Sequence, residues 1–152
     1  MTPRYTAARV TFVACVTLAG CSSLTDPGPH DEPALLRYAE QTARITAPDT
    51  VALGAGVTLS VATFGGGCTR EAARAEVSPV PQTNGGSVVV RLFNRNNGAR
   101  ICSSDGLTIE HRVTVPATAR GHLIIRVEGA NQGMETNWNV VPWVLTRTVV
   151  VR

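Results

Sequence analysis

The chain has 152 residues, enough for one domain with a true core once a leader is set aside, and too few for two comfortable ones. It contains 14 Arg and no Lys against 11 acids, and without Arg4 and Arg9 of the leader the balance falls to 12 against 11. A net charge near +1 argues against a general nucleic-acid-binding surface. Val and Thr, 20 and 18 residues, make up a quarter of the chain, which favours strands.

Residues 1–20 have the form of an export signal. Arg4 and Arg9 supply a basic start, and residues 10–20 form a mostly apolar run of 11, too short for a membrane span of about 20 residues. The run ends in Leu18-Ala19-Gly20-Cys21. This resembles the lipobox of bacterial lipoproteins: a branched residue, two small residues, then cysteine. The resemblance implies a diacylglyceryl group on the Cys21 sulfur and cleavage between Gly20 and Cys21. It also implies a bacterial cell-envelope location, with the membrane as a partner through that lipid anchor. Ser22, where an aspartate would favour the inner membrane, tilts the expectation towards the outer one.

Residues 21–33 read as the lipidated cysteine and a flexible tether. Residues 22–33 hold three prolines, one glycine and three acids, a composition with little to bury. Fully extended, they would reach at most about 40 Å. Residues 34–44 admit two readings, a short helix opened by Pro33 or an irregular lead-in to a first strand near residues 42–47.

From residue 45 to 152 the pattern is that of strands. Val57, Leu59 and Val61 alternate with small or polar residues up to Gly65-Gly66-Gly67. A weaker strand fits residues 72–79. Asn84-Gly85-Gly86 marks a turn before a strand over residues 87–94, and Asn97-Gly98 marks another. Leu107, Ile109, His111, Val113 and Val115 give the clearest half-buried strand. Leu123, Ile125 and Val127 give another, ending at Gly129, and residues 138–145 and 146–151 close the chain with β-rich sequence. Pro142 belongs at an edge or a bulge. Six to eight short strands predict an all-β fold, a single antiparallel β-sandwich. The pattern is similar to immunoglobulin-like and fibronectin-III-like domains, without their tryptophan and tyrosine signatures.

Cys15 leaves with the leader and Cys21 is committed to lipid. Cys68 and Cys102 remain in an oxidising compartment and are expected to form one disulfide.

No nucleophile elbow, zinc helix or phosphate loop is present. The three histidines do not converge, His111 belonging to a core-facing row, so no metal, cofactor or catalytic residue is expected. Ser103, Ser104, Asp105 and His111 have triad residue types but no triad spacing. Two features suit binding. Arg91, Arg95 and Arg100 lie in an acid-free stretch beside Phe93 and could receive an anionic group, or be a solvated turn. The second feature is Trp138 and Trp143, the only tryptophans, with Asn137 and Asn139 flanking Trp138. An exposed tryptophan beside amides could stack on sugar rings, or the rings could pack in the core or at a strand edge. The expected function is a non-catalytic binding or assembly module of the envelope, with a cell-wall polymer or an envelope protein as partner. The alternatives are an accessory subunit acting by β-strand addition and a polysaccharide-acting enzyme.

Overall fold

The computed structural model describes residues 28–80, 86–99 and 101–152. Its strands are β1 (His30–Pro33), β2 (Leu35–Tyr38), β3 (Gln41–Thr42), β4 (Arg44–Thr46), β5 (Thr50–Val51), β6 (Gly56–Gly66), β7 (Thr69–Val80), β8 (Ser87–Asn96), β9 (Gly106–Pro116), β10 (Gly121–Gln132) and β11 (Val141–Val151). One 3-10 turn, Met134–Thr136, precedes β11. The all-β expectation holds, and no α-helix occurs among the described residues. The sheet is not purely antiparallel as expected, however: β2 and β8 each pair parallel with β10, and β5 pairs parallel with β11.

The strands belong to one hydrogen-bonded sheet in which β8, β7, β6, β2 and β10 form a closed five-strand path, since β8 also pairs with β10. Two long ladders dominate. In one, β6 and β9 run antiparallel from Gly56↔Pro116 to Gly66↔Gly106. In the other, β7 is antiparallel to β8, β8 is parallel to β10, and β10 is antiparallel to β11. Closure between them rests on single residue pairs, Gly66↔Thr69 and Leu35↔Phe64.

The alternation seen in the sequence is what fills the interior. Val57, Leu59 and Val61 of β6 face Val88, Val90 and Leu92 of β8, Val113 and Val115 of β9, and Leu123, Ile125 and Val127 of β10, all buried in one cluster. Each fully buried aliphatic side chain contributes about 1.5–3 kcal/mol of transfer free energy.

Several expectations need correction. Residues 34–44 form no helix: Ala34 and Leu36 are buried while Leu35 and Arg37 are not, a period of two. Residues 30–33, read as the end of the tether, are β1 and pair with β8 from His30↔Asn96 to Pro33↔Phe93. Gly129 does not end its strand. A Cβ there would lie 2.4 Å from the Ala34 carbonyl oxygen, so the glycine admits the backbone that leads into β2 while β10 runs on to Gln132. Trp138 lies in a turn, and β11 starts only at Val141. Among the described residues Pro142 does sit on an edge, because β5 covers β11 only at Val150 and Val151. The turn expected at Asn84-Gly85 falls outside the described residues.

One polar chain crosses the apolar interior. Asn94 of β8 donates through Nδ2 to the Phe64 carbonyl of β6 (3.2 Å), and its Oδ1 lies 2.8 Å from His111 Nε2 of β9. The carbonyl can only accept, so Asn94 Oδ1 must accept too, and the His111 proton sits on Nε2. His111 is 4% exposed, and burial pushes its pKa below the ordinary imidazole value. Below a pH of about 6.5 the unfolded chain binds a proton that the folded chain resists. The stability held by the neutral ring is therefore complete above that pH and is lost as pH falls towards the lowered native value. Urea midpoints at pH 7.5 and 5 should differ more for the native chain than for His111→Gln. Equal differences would refute this.

Candidate functional site

At the end of the barrel where β6 turns into β7, five segments meet. They are the end of β2 with Tyr38, the glycines Gly65, Gly66 and Gly67, the loop with Ser103, Ser104 and Asp105, the start of β9, and the end of β10 with Gln132. Between them lies an open groove of about 430 Å³. A second depression of about 270 Å³, reaching Gln41, Phe64 and Thr108, shares Tyr38, Gly65 and Gly106 with the first. Tyr38 therefore stands where the two meet.

Tyr38 is 42% exposed, and its ring centroid lies 6.5 Å from that of Phe64 and 6.1 Å from that of Trp138. Trp138 is itself 49% exposed. Its presentation depends on an unusual turn: Asn137 and Trp138 have φ of 48° and 60°, a left-handed conformation rarely taken by a bulky residue. Hydrogen bonds hold it there. The Trp138 amide donates to the Gly133 carbonyl (2.8 Å), Gln132 Nε2 donates to the Trp138 carbonyl (3.0 Å), and the Thr136 hydroxyl donates to the Asn139 carbonyl (2.8 Å). A strained residue braced in this way is characteristic of sites rather than of plain connections.

The carboxylates along the groove are already engaged. Glu32 accepts from the Thr69 hydroxyl and from Asn96 Nδ2 (3.4 Å). The Ser103 hydroxyl and the Arg70 guanidinium, 2.6–2.7 Å from both oxygens, hold the Asp105 carboxyl below its usual range. The disulfide Cys68–Cys102 is present, with Cα atoms 5.0 Å apart. It ties the turn holding the glycines to the loop holding Ser103 and Asp105, and so fastens two walls of the groove together.

The arginines of β8 are placed differently from what their acid-free sequence suggested. Arg91 stands between Glu76 of β7 and Glu128 of β10, and bonds Glu128 at 2.9 Å. Arg95 stands between Glu71 of β7 and Asp31 of β1, and pairs with Asp31 at 3.1 Å. Arg74, stacked 3.9 Å over Phe93, is shared by Asp31 and Glu76. Each of these three guanidiniums thus has an acid beside it, Asp31 serving both Arg74 and Arg95. Arg100 and Cys21 lie outside the described residues. Trp143 is separate from Trp138: it packs under Arg37 and lines another groove, with Phe93, Pro33 and Pro142.

The triad types are not brought together, since His111 bonds Asn94 inside the barrel while Asp105 bonds Arg70 outside it. Among the described residues no group of three or more His, Cys, Asp or Glu is arranged to hold a metal. No described helix is long and apolar enough to cross a membrane. Trp138 was visible in the sequence as a candidate. Tyr38, Gln132 and the glycine floor were not, because nothing local marks residues that meet only across strands. Compared with known proteins, the chain matches no family model, no curated protein sequence and no solved structure.

Proposed function

We propose that the chain is a lipid-anchored module of the bacterial envelope, placed at the outer membrane, that binds its ligand without catalysis. The anchor reading rests on Leu18-Ala19-Gly20-Cys21. The binding reading rests chiefly on one observation: two exposed, buttressed aromatic rings beside an open groove whose carboxylates are already paired. A catalytic carboxylate needs a free proton-transfer role, whereas a rigid aromatic platform suits recognition.

We read the fold as a flattened barrel, in effect an immunoglobulin-like β-sandwich. What supports this is that its two long ladders touch through single-pair corners. A second reading, β-strand addition to an envelope partner, is favoured by the outer edge of β11. Beyond β5 no described strand pairs with that edge over residues 141–149, and Val144 on it is exposed.

Mass spectrometry of the purified protein tests the anchor. The expected amino terminus is Cys21 carrying diacylglycerol, and Cys21→Ser should leave the leader uncut. Two or more acyl chains would supply nearly all the membrane affinity, at about 0.8 kcal/mol per buried CH₂. A free Cys21 or a terminus elsewhere would refute the reading.

A further inference from the structure

We infer that the groove beside Tyr38 is a binding site for a neutral carbohydrate chain, with the Tyr38 ring as the stacking platform between two adjoining sugar positions. The inference rests on the binding-module reading above and gives its ligand a chemical class.

Two depressions, about 430 and 270 Å³, meet at the exposed Tyr38 ring. A chain of linked rings laid along them would place one unit on each side and an apolar sugar face on the phenol. Because the ring already packs near Phe64 and Trp138, less side-chain freedom is lost on binding. Gly65 and Gly106 line both depressions, leaving the backbone between the two positions without side chains. The polar lining is of the kind that exchanges hydrogen bonds with hydroxyls: the amides of Gln41 and Gln132 and the hydroxyls of Ser104 and Thr108.

Charge selects among carbohydrates. Among the described residues no arginine lines either depression, while Glu32 and Asp105 do. Asp105 is matched by Arg70, whereas Glu32 is held only by the neutral groups of Thr69 and Asn96. A phosphate- or uronate-bearing polymer would therefore meet one unmatched carboxylate, which disfavours it. The arginines of β8 lie on other faces of the barrel and are paired with acids.

The test uses the mature lipidated protein in detergent micelles. Calorimetry is run against tetramers of N-acetylglucosamine, glucose and mannose, against the anionic polymer polygalacturonate, and against an alanine-proline peptide. At least one neutral tetramer should bind saturably, with an affinity unchanged within about twofold between 0.05 and 0.5 M salt, since no ion pair forms. Tyr38→Ala should weaken that binding about tenfold or more, as loss of a central aromatic contact does. Tyr38→Phe should keep it within about threefold, and that variant retains the packing against Phe64, so it separates stacking from folding. Binding of polygalacturonate or the peptide alone, or of no neutral tetramer, overturns the assignment. In a parallel pull-down with detergent-extracted envelope protein coupled to beads, retention of the native chain that Tyr38→Ala abolishes, without tetramer binding, overturns only the carbohydrate class. No retention of any probe overturns the binding-module reading too.

Discussion

Replacing Cys68 and Cys102 together by alanine should lower the unfolding free energy by about 3.8 kcal/mol, the chain-entropy value for a closed loop of 35 residues. For a domain whose total stability is about 5–15 kcal/mol this is a large share. The loss should appear in urea unfolding as a lower midpoint and a steeper slope, because the unlinked unfolded chain exposes more surface. Reductant should reproduce it in the native protein and do nothing to the variant. The bond also holds the glycine turn against the loop of Ser103 and Asp105, so ligand affinity at the groove should fall with it. A stability change below about 1 kcal/mol would show that the surrounding contacts, among them the Arg70–Asp105 pair, hold these segments unaided.

Gly66→Ala should be the most damaging single substitution at the site. The residue has φ of 146°, where side chains rarely go, and an added Cβ would lie 2.2 Å from the Asp105 carbonyl oxygen. Backbone strain alone costs about 1–3 kcal/mol. The contact is with backbone rather than a flexible side-chain tip, so β6 and β9 must separate at their last pair, Gly66↔Gly106. The expected fall in Tm is about 5–10 °C. Gly106→Ala is the matching control: its Cβ meets nothing within 4 Å and its φ is not positive, so stability should change by no more than about 0.5 kcal/mol. Equal effects from the two substitutions would contradict the strain argument. The Gly66 change should also displace Asp105 and with it the Arg70 pair along the groove wall.

What the sequence by itself determined is what depends on neighbours along the chain. Side chains of a strand alternate with a period of two, so Val57, Leu59 and Val61, and likewise His111 with Val113 and Val115, could be assigned to the interior without knowing what they would meet. Cysteine arithmetic paired Cys68 with Cys102 because few partners existed. What only the tertiary structure decided is register and closure, which join residues far apart in sequence and leave no periodic trace. Residues 30–33 look like a tether because proline and acids dominate them, yet β8 offers them an edge to pair with. Arg91 and Arg95 sit in an acid-free stretch, yet register sets Glu128 and Asp31 directly opposite them across neighbouring strands. Tyr38 lies beside Phe64 and Trp138 only because β2, β6 and the turn before β11 bring the three rings together. Alternation is set by the backbone of a single strand, whereas pairing is chosen by the burial and hydrogen bonding of the whole closed sheet.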